Sequence, residues 1–308
     1  MQIDIISAPM SYGCDKPGCE LAPDKIKESG INEILNKLGY KTNNLEKIEY
    51  SHISEENKFK DSKNMKYLSS IIELNEKLAK QTQQALNQNN IALILGGDHS
   101  IAMGSIAGAS STVELDKFGV IWIDAHGDLN TEETSSSKNV HGMPLAASMD
   151  IGNKSLTNIH EDRKKVKPNN VYHIGARDLD QGEIDLIKSI DINMYTTKTI
   201  RQIGIDNILD DMIQKVKQKR LDKIHLSFDI DFISGEYVVG TGTRVNNGFN
   251  IEETKHILSR ICSELQNIKS IDIVELNPKL DINEQTSKIT IDIIETIFKN
   301  MNKQISDI

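Results

Sequence analysis

Only three cysteines occur in 308 residues, Cys14, Cys19 and Cys262. So sparse and odd a set excludes the disulfide framework of a small secreted domain and suits a reducing compartment. Cys14 and Cys19 are separated by a stretch containing Pro17 and Gly18, wider than a redox CxxC pair, and no partnering Cys or His motif accompanies them, so they read as structural or incidental. No apolar run approaches the length of a membrane span, and MQIDIISAPM has no basic stretch leading into a sustained apolar one, which predicts a cytoplasmic protein. Positive charge is in the minority, with 36 Lys and Arg against 45 Asp and Glu for a formal net charge of −9. That balance argues against a general binder of nucleic acid or anionic membrane and favours a small cationic ligand. Internal repeats, low-complexity tracts, heptads and linkers are also missing, so one domain over 1–308 is expected, although the length alone would suggest two.

What is present is a layered α/β pattern. The segments 3–6, 91–95, 120–123 and 171–174 are short apolar runs that stop at polar or turn-forming residues, as strands of a parallel sheet covered on both faces do. Between them lie helical spacings: Leu68, Ile71, Ile72, Asn75, Leu78, Thr82 and Ala85, then Ile257, Leu258, Ile261 and Leu265, then Ile293, Ile294, Ile297 and Phe298. The run from Lys223 to Ile230 alternates instead. Ile224, Leu226, Phe228 and Ile230 share one parity, and Ser227, Asp229 and Asp231 fall toward one side if the strand extends that far.

Six candidate metal ligands cluster just past the apolar runs: His99 in GGDHS, Asp124, His126 and Asp128 in DAHGD, and Asp229 and Asp231 in SFDID. In open parallel sheets, ligands gather beyond the carboxyl ends of strands, so these segments can converge. Carboxylates and imidazoles without thiolates form a hard-to-borderline donor set, which favours Mn²⁺ first, with Fe²⁺ and Co²⁺ as alternatives, over a structural zinc. Taken singly, SxDxD could be a solvated strand end, and GGDHS a turn in which Asp98 or Ser100 caps a helix. DAHGD directly after VIWI has no evident structural purpose, and the three motifs together point to a metal centre.

The series GGDHSIAMGSIAG, VIWIDAHGDLNT, NVHGMPLA, GARDLDQGE, HLSFDIDFI and DIVELNP resembles the ureohydrolase superfamily and, within it, the bacterial arginases, over nearly the whole chain. The resemblance implies a three-layer α/β/α sandwich around an eight-stranded, mostly parallel sheet of arginase/deacetylase-like type. It also implies two Mn²⁺ per subunit, hydrolysis of L-arginine to L-ornithine and urea, and a homo-oligomer, trimer or hexamer. By the same likeness His99, Asp124, Asp128 and Asp229 would hold one ion, and Asp124, His126, Asp229 and Asp231 the other. Asp128 would carry a proton to the departing amine, His141 would shuttle protons, and Glu275 would pair with the guanidinium. Ser227 and Asp178 would orient ligating carboxylates. Asn130, Ser137 and Asn139 would hold the substrate carboxylate, with Asp180 and Glu183 on its α-ammonium.

The chemistry agrees with the likeness. A guanidinium is cationic and resonance-stabilised, so its carbon needs a strong nucleophile, and a metal pair can supply hydroxide near neutral pH. Four ligand carboxylates, two divalent ions and one hydroxide together leave the centre net negative, and Glu275 deepens that charge.

Two rivals remain at this point: another guanidino-compound ureohydrolase such as an agmatinase, and a non-catalytic amino-acid-binding homologue. Two departures from the arginase pattern bear on substrate grip. Lys138 stands where Gly is usual, which would cost about 1 kcal/mol if φ there is positive. Arg244, Asn246 and Asn247 replace a more apolar, proline-containing stretch.

Overall fold

The computed structural model describes residues 1–306. Eight strands form one sheet: β1 (Gln2–Ala8), β2 (Lys41–Asn44), β3 (Ile91–Gly96), β4 (Phe118–Ile123), β5 (Val171–Ile174), β6 (Asn193–Tyr195), β7 (Lys223–Asp229) and β8 (Ile268–Val274). Their order is β2-β1-β3-β8-β7-β4-β5-β6, and every pairing is parallel. Helices cover both faces, so the three-layer α/β/α expectation holds.

Alternation along each strand divides the apolar side chains between two cores. Ile5, Leu93, Ile121, Leu226 and Ile271 face helices that include Ile205–Lys219, Ile251–Glu264 and Gln285–Ser306. Ile6, Ile94, Val120 and Trp122 face Leu68–Asn87, Ala102–Ser110 and Pro144–Ser148. The helical spacings read from sequence lie on the buried sides of these helices.

The two central strands β7 and β8 carry a buried polar cluster. His225, Ser270 and Asp272 are buried and bond to one another: His225 Nδ1 lies 2.8 Å from Ser270 Oγ, and His225 Nε2 lies 3.0 Å from Asp272 Oδ2. Ser105 on the small-residue helix above donates to Asp272 at 2.6 Å. Period-two reading of this run also overshot. β7 ends at Asp229, and Asp231 occupies a 3₁₀ turn over Ile230–Phe232, so strand alternation does not place it. Edge strands β2 and β6 are short and partly exposed, which is why they carry no apolar signature.

The order has a functional consequence. β3 and β4 follow one another in sequence but are separated in the sheet by β8 and β7. The carboxyl ends of these four central neighbours therefore open side by side, the crevice where α/β sheets place ligands.

Candidate metal centre

Each motif leaves its strand by a fixed device. After β3, Gly97 passes so close to residue 10 that a Cβ would stand 1.7 Å from the Met10 carbonyl oxygen. Only glycine fits there. Asp98 then accepts from the backbone N–H of Ser100 at 3.0 Å and of Gly13 at 2.8 Å, capping the turn that carries His99. After β4, Asp124 accepts the His126 N–H at 2.7 Å, and Asp128 adopts φ 53°, a left-handed conformation that Asp tolerates better than most residues. After β7, Asp229 accepts the Asp231 N–H at 2.8 Å.

These turns bring all six expected ligands together. His99 Nδ1 lies 2.9 Å from Asp124 Oδ2, 3.0 Å from Asp128 Oδ2 and 3.2 Å from Asp229 Oδ2. Beside it, His126 Nδ1 lies 3.2 Å from Asp231 Oδ2 and 3.6 Å from Asp124 Oδ1. Two ligand groups result, His99 with Asp124 and Asp229, and His126 with Asp124 and Asp231, sharing Asp124. His99 Nδ1 and Asp128 Oδ2 are buried without a hydrogen-bond partner. Orphaned donor atoms facing a common point, in a set of carboxylates and imidazoles, fit divalent cations.

Neighbours fix these ligands. His99 Nε2 lies 2.8 Å from Ser227 Oγ, leaving Nδ1 for a cation, so Ser227 meets an imidazole rather than the carboxylate expected of it. Asp178 is more loosely placed, mostly exposed with its Oδ2 3.9 Å from His126 Nε2. Three supporting residues were missed in the sequence. Trp122 donates its indole N–H to Asp124 Oδ2 at 3.1 Å while stacking on the His99 ring at 4.1 Å. Thr243 donates to Asp231 Oδ2 at 3.2 Å. Arg177 donates to the carbonyls of Asp231, Phe232, Val245 and Asn246 at 2.7–3.3 Å, tying the Arg244–Asn247 stretch to the centre. Trp122 looked like one more core residue of an apolar run, while Thr243 and Arg177 act across distances that sequence spacing does not encode.

Burial and charge set the protonation tendencies. Burial opposes the charged His99 and His126 rings, but the surrounding carboxylates outweigh it and hold both well above the ordinary imidazole range. Burial, reinforced by Asp124, pushes Asp128 up to about 6. Burial, Asp231 and Asp124 raise Asp229 as well. Carboxylates crowded in this way call for a cation.

A polar cavity of about 160 Å³ opens on the centre, and Asn130, Ser137, Asn139, His141, Asp180 and Glu183 line it. Asp180 caps the helix Gln181–Ser189 and accepts from Asn130 Nδ2 at 2.9 Å. Glu183 accepts the N–H of Asp180 at 2.8 Å and of Leu129 at 3.0 Å, so it braces the wall, and burial pushes its carboxyl up to about 7 against those bonds. Lys66 donates to Asn139 Oδ1 at 2.8 Å, which turns the Asn139 amide N–H₂ away from the lysine. Lys138 does take φ 60°; its N–H donates to Ser135 Oγ at 3.0 Å, its Nζ donates to the Lys63 carbonyl at 3.0 Å, and Ser137 still lines the cavity. Glu275 lies behind His141, with φ 64° and Oε1 3.0 Å from His141 Nδ1.

The chain matches the Arginase family over residues 1–299. It belongs to the arginase family. The arginase of Brevibacillus brevis is 39% identical over 296 residues, covering 96% of this chain and 97% of that protein. That of Bacillus subtilis (strain 168) is 37% identical over 295 residues, with the same coverage. The native structure of arginase from Bacillus caldovelox at pH 5.6 superposes with a TM-score of 0.89 at 36% identity, covering 96% of this chain and 97% of that one. Formimidoylglutamase from Bacillus subtilis, at 21% identity and TM-score 0.78, shares the fold. Within the family frame, the His and Asp groups at the strand ends could hold metal. Among the described residues, no helix is long and apolar enough to cross a membrane.

Proposed function

We propose that this chain is a manganese-dependent arginase, hydrolysing L-arginine to L-ornithine and urea, folded as one ureohydrolase domain over 1–308 and working as a cytoplasmic homo-oligomer. The observation that carries the reading is the His99 ring, whose free Nδ1 faces three carboxylate oxygens at 2.9–3.2 Å at the mouth of a polar cavity. Family membership over nearly the full length supports it.

One ion would be held by His99, Asp124, Asp128 and Asp229, the other by Asp124, His126, Asp229 and Asp231. Two Mn²⁺ so held supply Lewis acidity and an activated water. Asp128 accepts the proton of the attacking water at a carboxylate oxygen as the guanidinium carbon becomes tetrahedral, then hands it to the departing nitrogen. His141 carries protons between the cavity and solvent. Glu275 pairs with the guanidinium once His141 releases it. At the cavity mouth, Asn130, Ser137 and Asn139 donate to the substrate carboxylate. Asp180 accepts from the α-ammonium, with Glu183 as a further acceptor. These groups favour an amino-acid head over a bare amine such as agmatine.

Urea release from a panel of guanidines, with and without Mn²⁺, tests the reading. Arginine should be cleaved and agmatine spared, and chelation should stop the reaction. Cleavage of agmatine with arginine spared would overturn the substrate assignment.

A further inference from the structure

Cys14 and Cys19 acquire in the fold what the sequence withheld, a third ligand. Their sulfurs and a Glu275 carboxylate oxygen all lie within 4.8 Å of one another, and all three residues are buried. Cys19 Sγ donates to Glu275 Oε2 at 3.7 Å. A tetrahedral zinc, with Zn–S about 2.3 Å and Zn–O about 2.0 Å, holds its sulfur and oxygen ligands about 3.5 Å apart, so this edge is nearly in place.

The loop is built to hold that arrangement. Buried Asn277 donates Nδ2 to the carbonyls of Lys16 at 3.4 Å and Pro17 at 3.3 Å, fastening the loop to the segment after β8. Gly18 makes the approach with φ 136°, where a Cβ would stand 1.9 Å from Asn277 Oδ1. Lys16 Nζ donates to the Gly242 carbonyl at 2.6 Å. On its outer side Cys14 lines a surface cavity of about 170 Å³ together with Tyr12, Asp15, Glu55, Lys58 and Tyr67.

We propose that Cys14, Cys19 and Glu275 form a second metal site, for a thiophilic divalent cation of the zinc and cadmium class, whose occupancy engages Glu275 Oε2 and neutralises the carboxylate toward a cationic substrate while Oε1 stays beside His141. Two thiolates and one carboxylate make a soft set, unlike the carboxylate and imidazole centre nearby, so Mn²⁺ and Mg²⁺ are poor occupants. Binding forms two metal–sulfur bonds and one metal–oxygen bond and releases both thiol protons to solvent. In the empty site the Cys19 thiol is held well above its ordinary range by its hydrogen bond with Cys14, burial and Glu275, so only a cation with strong sulfur affinity displaces its proton. The site itself is independent of the proposed function, and only the inhibitory consequence rests on it.

The test is a Cd²⁺ titration of the Mn²⁺-loaded protein under a phosphine reductant, read by the ultraviolet thiolate-to-cadmium charge-transfer band. No thiolate lies in the Asp/His centre, so this band reports the sulfur site alone. One equivalent should saturate it in wild type and in Cys262→Ala, the band should vanish in Cys14→Ser with Cys19→Ser, and Glu275→Gln should weaken binding about 10- to 100-fold. A wild-type protein without the band, a band surviving the double substitution, or unchanged affinity in Glu275→Gln would each overturn the site. With Zn²⁺ at saturation the KM for arginine should rise in wild type and not in the double variant. An equal rise in both would overturn the inhibitory role, while the band still decides separately whether the site exists.

Discussion

His141 Nδ1 and Glu275 Oε1 are 3.0 Å apart, so two groups expected to serve a proton and a guanidinium separately are paired with each other before substrate arrives. Burial opposes the charged ring, but the Glu275 carboxylate lifts His141 to about 10, far from the near-neutral value its shuttle role suggested from sequence. A guanidinium that takes Glu275 removes that pull and returns His141 toward about 6.5, where proton exchange near neutral pH is easy.

The pair makes a pH prediction for the metal-free protein. Its folded His141 value lies above the unfolded one, so the contribution to stability is full below about pH 6.5 and is lost as pH rises toward about 10. The Tm difference between wild type and His141→Asn should shrink across that window. A difference that stays constant from neutral to alkaline pH would contradict the pairing.

His141→Ala should lower the rate of urea release by about 10²- to 10⁴-fold, with partial recovery in added imidazole. Full activity without rescue would show that the ring carries no proton.

Asp128→Asn should abolish turnover with the fold preserved. Asn tolerates the left-handed φ of 53° and keeps the shape, but cannot accept the proton. Circular dichroism and Tm close to wild type, alongside a urea rate near background, are the expected results; retained turnover would remove Asp128 from its role.

Much of this was legible in the sequence, because short apolar runs ending in Asp and His encode both the buried strands and the groups at their tips. What stayed hidden depends on sheet order and on contacts across the chain. Asp231 reaches the centre through a 3₁₀ turn rather than by strand alternation. Glu183 lines the cavity as expected of a substrate acceptor, but its second task, bracing the wall through backbone N–H groups on both oxygens, is not encoded in spacing. Trp122 is indistinguishable from core until its N–H is seen on Asp124. The cysteines look partnerless until β8 delivers Glu275.

Trp122→Phe isolates that hidden support. Phenylalanine keeps an aromatic face for His99 but loses the donor to Asp124, which should cost about 10- to 100-fold in Mn²⁺ affinity. Equilibrium dialysis measures it, and wild-type affinity would show that the bond does not position Asp124.

At the other end of the cavity, Asp180 serves as helix cap and expected substrate acceptor together. Asp180→Ala should raise the KM for arginine more than it lowers kcat and also cost about 1 kcal/mol of stability through the lost cap. Asp180→Asn keeps the cap, so it should retain stability while still raising KM; an unchanged KM would remove Asp180 from substrate binding.

The central claim is that segments far apart in the chain assemble a binuclear manganese centre, and anomalous scattering from crystals of the Mn²⁺-reconstituted protein measures it most directly. The account predicts two peaks, one among His99, Asp124, Asp128 and Asp229 and the other among Asp124, His126, Asp229 and Asp231. No peak at either position, in protein that still releases urea from arginine, would contradict it.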